Sequence, residues 1–315
     1  MKLLARALLV VAVAACGVAS ADPPTSGAPD AAAAETPKPS DRPRPRTHAH
    51  NDYEHPHPLF DALHEGFVGV EADVYLVGAD LRVSHNAAAD WSKVPTLQAS
   101  YLSPLRDLVR RRNNGGVYAD GTPLLLLVDI KTDADPTYAR LHQVLAEYQT
   151  ATPGLFTTYT ATVDGRYTVA AGAITVVVSG NRPREAMKRQ TTRLAGYDGR
   201  VADVGRDAAA DTAPGFMPLV SDNWNLVFKG ESAWDGTGQM PAAARARLAE
   251  LVAAVHGEGK QLRFWNLPKD TPAVWGPLWE AGVDLLNTDD LAGLSRFVES
   301  RATDKEGRAA PAPKK

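Results

Sequence analysis

Short apolar runs with strand character alternate with longer runs of helical periodicity through the central part of the chain. Helices are predicted at 59–65, 102–112, 138–148 and 241–256. Strands are predicted at 46–51, 69–77, 123–132, 173–180, 193–197, 216–222, 261–266 and 283–288. Strands that alternate with helical crossovers indicate a parallel sheet. Eight such strands indicate an α/β fold of the TIM (β/α)8 barrel type in a single domain.

Two segments refine this pattern. Residues 124–128 read Leu-Leu-Leu-Leu-Val, and a continuous apolar run is typical of a strand buried on both faces. Residues 156–170 contain the turn sequence Val-Asp-Gly-Arg at 163–166, which favours a β-hairpin. We therefore expect one hairpin inserted before the fourth barrel strand.

The two ends of the chain differ in composition from the central part. Residues 22–46 are rich in proline, alanine, serine and threonine, and we predict a disordered linker because such a segment cannot bury enough apolar surface to fold. Residues 301–315 are predicted to form a disordered tail for the same reason. The barrel domain is then expected at 47–300, which fits the roughly 250 residues typical of this fold.

Residues 1–21 have the pattern of a secretory signal peptide. Lys2 and Arg6 precede an apolar stretch at 7–15, which is too short for a stable membrane span. Cys16, the single cysteine, ends a Val-Ala-Ala-Cys sequence that resembles a bacterial lipobox, whereas Ala-Ser-Ala at 19–21 fits an ordinary cleavage site. We predict an exported protein, either a cell-envelope lipoprotein anchored through Cys16 or a secreted protein. A single cysteine leaves no intrachain disulfide.

The composition restricts the partners. The chain has 315 residues, 44% of them hydrophobic and 23% charged, with a net charge of -3, which is ordinary for a globular protein. A nucleic-acid partner is not expected, because no basic patch stands out. A membrane is expected to be contacted only through a lipid anchor at Cys16. We expect a monomer.

Acidic residues recur on the second and third predicted strands. Glu71 and Asp73 are two residues apart within an apolar run, so strand periodicity places both on one face. Asp129 and Lys131 share a face in the same way. Two adjacent carboxylates repel each other unless a positive group lies between them. Either arginines pair with them or they bind a hard divalent cation, Ca²⁺ or Mg²⁺.

Two histidines flank these carboxylates in the sequence. His50 and Asn51 end the first predicted strand, and His85 follows a tight turn at 78–80 and a short return strand. In barrels, the C-terminal ends of the strands carry the chemistry. The pattern therefore predicts an acid, a base and an oxygen-rich metal site at one mouth.

These motifs resemble the superfamily of phosphatidylinositol-specific phospholipases C and glycerophosphodiester phosphodiesterases. The sequence His-Asn-Asp-Tyr at 50–53 resembles the His-Asn-Thr-Tyr of eukaryotic phospholipase C domains, and the Glu71-x-Asp73 pair with His85 has that superfamily's spacing. The whole core is most similar to the altered inheritance of mitochondria protein 6 family, including Pro-Leu-Val-Ser at 218–221, Arg-Phe-Trp-Asn at 263–266 and the stretch at 283–289.

The resemblance implies a metal-dependent phosphoric diester hydrolase acting on a small-molecule or lipid-headgroup phosphodiester. It implies His50 and His85 as general base and general acid, and one divalent cation, Ca²⁺ or Mg²⁺. The implied metal ligands are Asn51, Glu71, Asp73 and Asp129. Lys131 would hold a phosphate oxygen and Trp265 would line the substrate pocket, although a large aromatic residue on a barrel strand can equally belong to the core.

Two residues depart from the pattern of the relatives. Glycerophosphodiesterases have His-Arg-Gly on the first strand, with the arginine on phosphate, but here Asn51 follows His50. Asp129 stands where many relatives have glutamate, and its reach is shorter. Substrate preference therefore cannot be transferred from the relatives.

Two other functions are compatible with parts of this pattern. His48-x-His50 also resembles the metal hydrolases of the amidohydrolase type, but no histidine lies between His142 and His256, so their ligand set cannot be completed. Alternatively, an inactive barrel could serve as a surface ligand-binding lipoprotein. Divalent-ion binding and EDTA-sensitive hydrolysis distinguish that role from an enzyme.

Overall fold

A computed structural model describes residues 35–206 and 213–307. The predicted signal peptide, Cys16 and the first part of the predicted linker lie outside these residues. The β-strands are β1 Arg44–Ala49, β2 Phe67–Val77, β3 Asp80–Val83, β4 Leu124–Ile130, β5 Thr158–Ala161, β6 Tyr167–Ala170, β7 Ile174–Gly180, β8 Thr192–Arg193, β9 Ala195–Gly199, β10 Leu219–Asn223, β11 Gln261–Trp265 and β12 Leu286–Thr288.

Eight of these strands form a nearly closed parallel barrel, as predicted. Following the chain, they are β1, β2, β4, β7, β9, β10, β11 and β12, and each pairs in parallel with the next as far as β11. β12 pairs with β1, and a single parallel bridge between Arg263 and Leu285 joins the region before β12 to β11. We call these strands barrel strands one to eight.

Helices cover the outside of the sheet. They are α1 Phe60–His64, α2 Ser103–Arg111, α3 Ala134–Ala151, α4 Arg184–Lys188, α5 Trp224–Val227, α6 Ala242–Gly257, α7 Pro272–Ala281 and α8 Leu291–Gly307. Short turns of 3-10 helix are present at Asp52–Glu54, Trp91–Lys93, Val201–Asp203 and Gly230–Ser232, and a π-helical turn at Gln98–Leu102. No helix among the described residues is long and apolar enough to cross a membrane.

Side chains alternate between the barrel interior and the helical layer. On β4, Leu125 and Leu127 belong to a small cluster of buried apolar residues, whereas Leu124, Leu126 and Val128 belong to the large core. The continuous apolar run is therefore buried on both faces, as expected. The same two-residue period brings Glu71, Asp73 and other polar residues of the barrel strands to one end of the barrel.

The structure shifts two predicted boundaries. Arg44 pairs with Phe67 and Ser40 N donates to Leu63 O, so the segment before residue 47 is partly built into the barrel. At the other end, α8 continues to Gly307, beyond the predicted domain end at 300. The predicted boundary rested on composition, which reflects only side-chain hydrophobicity. Residues Arg44–Ala49 are held instead by backbone hydrogen bonds to β2.

The insertion before the fourth barrel strand is a hairpin, as predicted. β5 pairs with β6 in antiparallel register, and β8 adds a third strand. Arg193 was expected on the fifth barrel strand, but it belongs to β8, and the barrel strand itself runs from Ala195 to Gly199. The reason is that Arg193 packs its guanidinium over the rings of Tyr159 and Tyr167 in the hairpin.

Candidate active site at the barrel mouth

A cavity of about 320 Å³ opens at the C-terminal ends of the barrel strands. Seven of the eight site residues predicted from the sequence line it: His50, Asn51, Glu71, His85, Asp129, Lys131 and Trp265. The eighth, Asp73, is fully buried beneath them. The cavity is also lined by Ser179, Gly180, Arg200 and Arg263, which sequence reasoning did not assign to the site.

The three carboxylates predicted to bind a metal converge in space. Glu71, Asp73 and Asp129 each place a carboxylate oxygen within 4.8 Å of the other two. They lie on adjacent strands in matched register, because Glu71 pairs with Leu127 and Asp73 with Asp129. Gly180 on the next strand is required for this approach, since a Cβ atom there would lie 2.3 Å from Asp129 Oδ1.

Lys131 neutralises two of these carboxylates. Its Nζ atom lies 3.0 Å from Asp73 Oδ2 and 3.0 Å from Asp129 Oδ1. Burial lowers the pKa of Lys131, but the two carboxylates outweigh burial and raise it. Burial raises the pKa of Asp129, although Lys131 opposes this. Lys131 is therefore a protonated cation with about a quarter of its side chain exposed to the cavity.

Tyr53 connects three groups of the site through one hydroxyl. The hydroxyl lies 2.7 Å from Asp73 Oδ2, 3.0 Å from Asn51 Oδ1 and 3.1 Å from His85 Nδ1. Burial and the Asp73 carboxylate raise the pKa of Tyr53, so the hydroxyl remains a donor. Asn51 adopts a left-handed backbone conformation with φ of 44°, which asparagine tolerates better than most residues.

Each predicted catalytic histidine has an acidic partner. His50 Nδ1 lies 2.9 Å from Asp289 Oδ1, and His85 Nδ1 lies 3.1 Å from Asp73 Oδ2. Burial would lower the pKa of His50, but the hydrogen bond to Asp289 raises it. In both residues the Nδ1 atom is occupied, which leaves Nε2 as the nitrogen available for proton transfer.

A buried polar cluster crosses the barrel interior below the cavity. Arg263 on β11 contacts Glu71 on β2 through Nη2, and its Nε donates to Asn287 Oδ1 at 2.9 Å. Burial would raise the pKa of Glu71, but the Arg263 guanidinium holds it well below its usual range. One of the pairings considered from sequence, an arginine on Glu71, is thus present in the structure.

His48 lies within this cluster but does not reach the cavity. Its Nε2 atom is 3.7 Å from Glu71 Oε2, which is an electrostatic contact beyond hydrogen-bond distance. Full burial, and then the charge of Arg263, lower the pKa of His48 to about 4. His48 is therefore a neutral, structural part of the barrel interior.

Arg200 stands at the end of the fifth barrel strand. Its Nη1 atom donates to Asp198 Oδ2 at 2.6 Å and to the Gly199 carbonyl at 2.8 Å. Asp198 is fully buried, and the same oxygen accepts hydrogen bonds from Ser179 Oγ at 2.7 Å and Ser221 Oγ at 2.6 Å. Three neighbouring strands thus fix one arginine at the cavity.

Some residues that sequence reasoning missed carried a usable signal. Arg263 lies two residues before Trp265 on a predicted strand, so both had to face the same side. Tyr53 lies inside the quoted His-Asn-Asp-Tyr motif. Arg200 offered no comparable signal, because the predicted strand ended at residue 197 and its anchor Asp198 has no distinctive spacing.

Comparisons with known proteins indicate the family of the chain. Residues 42–198 match the AIM6-like phosphodiesterase domain, and residues 261–292 match the glycerophosphoryl diester phosphodiesterase family. An "altered inheritance of mitochondria protein 6 homolog" from Arthroderma benhamiae is 25% identical over 73% of this chain and 74% of its own. The "altered inheritance of mitochondria protein 6" of Eremothecium gossypii is 30% identical over 76% of this chain.

The chain spans 66% of the length of that second relative. Among solved structures, a candidate glycerophosphodiester phosphodiesterase from Galdieria sulphuraria matches 82% of this chain and 100% of its own, with 12% identity and a TM-score of 0.46.

Proposed function

Since the chain carries an AIM6-like phosphodiesterase domain, we propose that its barrel hydrolyses phosphoric diesters with the help of a divalent cation. The observation that carries this proposal is the meeting of three carboxylates, two histidines and Lys131 around one cavity. A diester needs a positive site for its charged oxygens, a base for the attacking hydroxyl and an acid for the leaving alkoxide. This cavity contains candidates for all three.

The donor set suits a hard cation. Asn51, Glu71, Asp73 and Asp129 would hold the ion with oxygen atoms only, which is the preference of Ca²⁺ and Mg²⁺. Asp73 Oδ1 is buried and has no hydrogen-bond partner, and a buried carboxylate oxygen is costly to leave without one. When bound, such an ion stabilises charge on phosphate oxygens and lowers the pKa of an attacking hydroxyl.

Lys131 would bind and orient the substrate phosphate. It is half-buried, protonated and directed by two carboxylates toward the cavity. A phosphodiester carries one negative charge, and more charge accumulates on its oxygens in the transition state. A fixed ammonium group at this position stabilises that added charge without reorganising. Trp265 would form the wall beside the alcohol part of the substrate.

The two histidines would move the protons. His50, oriented by Asp289, would accept a proton at Nε2 from water or from a neighbouring substrate hydroxyl. His85, oriented by Asp73 and Tyr53, would deliver a proton from Nε2 to the departing alkoxide. Each such transfer contributes about 10²–10⁴-fold to the rate. An attacking substrate hydroxyl would give a cyclic phosphate, whereas water would give the monoester directly.

We further propose that the substrate is a glycerophosphodiester or a lipid-headgroup phosphodiester. The cavity volume of about 320 Å³ suits a single phosphodiester with a small alcohol. The signal-like residues 1–21 support export of the protein, and Cys16 is the proposed lipid anchor.

Hydrolysis of bis(p-nitrophenyl) phosphate by the purified protein tests this function. We expect turnover with Ca²⁺ or Mg²⁺, none with EDTA, and loss of activity in His50→Ala and Glu71→Ala. His142→Ala is the matched control, because His142 stacks on Tyr138 in α3 and does not line the cavity. A folded protein that binds divalent ions but hydrolyses no diester would refute the enzymatic role, and ligand binding alone would then be the function.

A further inference from the structure

Arg200 is the cation of the cavity with the most elaborate support. Its anchor Asp198 is fully buried, and the carboxylate oxygen Oδ2 accepts hydrogen bonds from three groups, two serine hydroxyls and the guanidinium. Burying a carboxylate is costly unless several donors compensate it. A surface arginine needs no such support, so the arrangement indicates a requirement for one fixed guanidinium position.

The Arg200 guanidinium lines the cavity and still has unused donors. Nη1 makes both recorded hydrogen bonds, to Asp198 and Gly199. Among the residues that the structure describes, Nε and Nη2 of Arg200 have no hydrogen-bond partner, and 24% of the side chain is exposed. A planar guanidinium with two free donors on one edge matches two oxygens of a phosphate group.

The first barrel strand brings His50 and Asn51 to the cavity but no cationic side chain that is always charged. Strand five lies across the barrel from strand one in an eight-stranded barrel, and both contribute to the same 320 Å³ cavity. We propose that Arg200 donates to a non-bridging oxygen of the reacting phosphodiester from the side of the cavity opposite His50 and Asn51. The inference rests on the proposed phosphodiesterase function.

The charges of the site favour the reacting phosphate over a second acidic group of the substrate. One divalent cation, Lys131 and Arg263 together would exceed the charge of Glu71, Asp73 and Asp129 by one, and the single negative charge of a bound diester would offset this excess. The pair formed by Arg200 and Asp198 is neutral as well, so the bound substrate leaves no positive charge unmatched. Only the transition state adds negative charge, and Arg200 is therefore expected to stabilise it more than the ground state.

The test compares Arg200→Gln and Arg200→Lys in the full chain with the control Arg182→Gln. Arg182 also donates to Asp198, through the backbone oxygen, and stacks on Tyr197, but it does not line the cavity. We expect Arg200→Gln to lower kcat about 100-fold on both bis(p-nitrophenyl) phosphate and glycerophosphocholine, with KM nearly unchanged. Arg200→Lys should lose about tenfold, because it keeps the charge but not the fork of donors.

Two outcomes would overturn the inference. A loss confined to glycerophosphocholine would assign Arg200 to the alcohol part of the substrate, because the phosphodiester group is the only part that the two substrates share. An equal loss in Arg182→Gln would mean that Arg200 acts only by holding the segment around Asp198 in place, without contacting the phosphate.

Binding of inorganic phosphate, measured by calorimetry in the presence of Mg²⁺, separates this inference from the enzymatic proposal. At about pH 8 this ion is mostly doubly charged, as is the transition state. Affinity at least about tenfold weaker in Arg200→Gln than in the wild type supports the inference even if neither diester is hydrolysed. Equal affinities would refute it even if both are hydrolysed.

Discussion

The acidic half of the barrel mouth, on β1, β2 and β4, differs from the basic half, on β9 and β11, in how its side chains are positioned. In the acidic half, Glu71, Asp73 and Asp129 lie on adjacent strands and are placed by strand register. In the basic half, Arg200 and Arg263 lie far apart in sequence, and each is fixed by a buried acidic partner, Asp198 or Glu71.

This difference separates two kinds of information. The positions of the carboxylates follow from a period of two along a strand, which a single segment contains. The positions of the arginines follow from side-chain pairs between strands, which form only after the barrel closes. The acidic half is therefore encoded locally, whereas the basic half depends on long-range contacts.

The largest effect is expected from disabling the acidic half. Asp73→Asn keeps the size of the side chain but removes the charge that Lys131 and a cation contact. We expect turnover of bis(p-nitrophenyl) phosphate to fall by about 10³-fold or more, to the level seen with EDTA, because several kcal/mol of charge stabilisation are lost. Activity that persists in Asp73→Asn and remains EDTA-sensitive would show that the ion is held elsewhere.

The ion pair between Glu71 and Arg263 connects the two halves, and the substitution Glu71→Gln removes it. This change leaves the buried Arg263 guanidinium without its anionic partner, and breaking a buried ion pair on one side costs about 3–5 kcal/mol. Urea unfolding should show this loss of unfolding free energy. The double variant Glu71→Gln/Arg263→Met should recover much of it, since no charge is then left unpaired. Additive losses in the double variant would contradict the coupling.

A smaller effect on activity is expected from Asp289, the exposed hydrogen-bond partner of His50. Asp289 is 69% exposed, so it orients His50 from the rim of the cavity. Asp289→Asn should lower kcat about tenfold, and the pKa of His50 should move down because the hydrogen bond that raises it is weakened. Asp135→Asn, on the exposed first turn of α3, serves as the control. An unchanged kcat would exclude Asp289 from the machinery.

The smallest effect on activity concerns Asp52, a buried carboxylate that lies outside the cavity lining and acts on stability. It accepts hydrogen bonds from Leu59 N at 2.6 Å and Tyr101 Oη at 2.8 Å, yet burial raises its pKa to about 7. The folded state then binds this proton more tightly than the unfolded chain, so its contribution to stability falls as pH rises from about 4 to 7. Wild-type unfolding free energy relative to Asp52→Asn should therefore decrease over this range and level off above it. A difference that is independent of pH would contradict the assigned titration.

The contrast between the halves also explains how far the sequence could predict the molecule. The barrel and the hairpin follow from periodicity, and the seven cavity-lining residues follow from motif spacing together with the resemblance to the phosphodiesterase families. The start of the domain was placed too late because Arg44 and Ser40 are held by backbone hydrogen bonds, which composition does not reveal. Arg200 could not be predicted, since its place depends on serines from β7 and β10 that meet only in the folded barrel.

The single hydroxyl of Tyr53 has an evolutionary consequence. Because it bonds to Asn51, Asp73 and His85 at once, a substitution at any of the three changes the surroundings of the other two. The effects of such substitutions will be epistatic rather than additive. Lineages that acquire a new substrate therefore have freer access to change through Arg200, whose anchor Asp198 lies outside the acidic half, than through the acidic half, where several residues must change together.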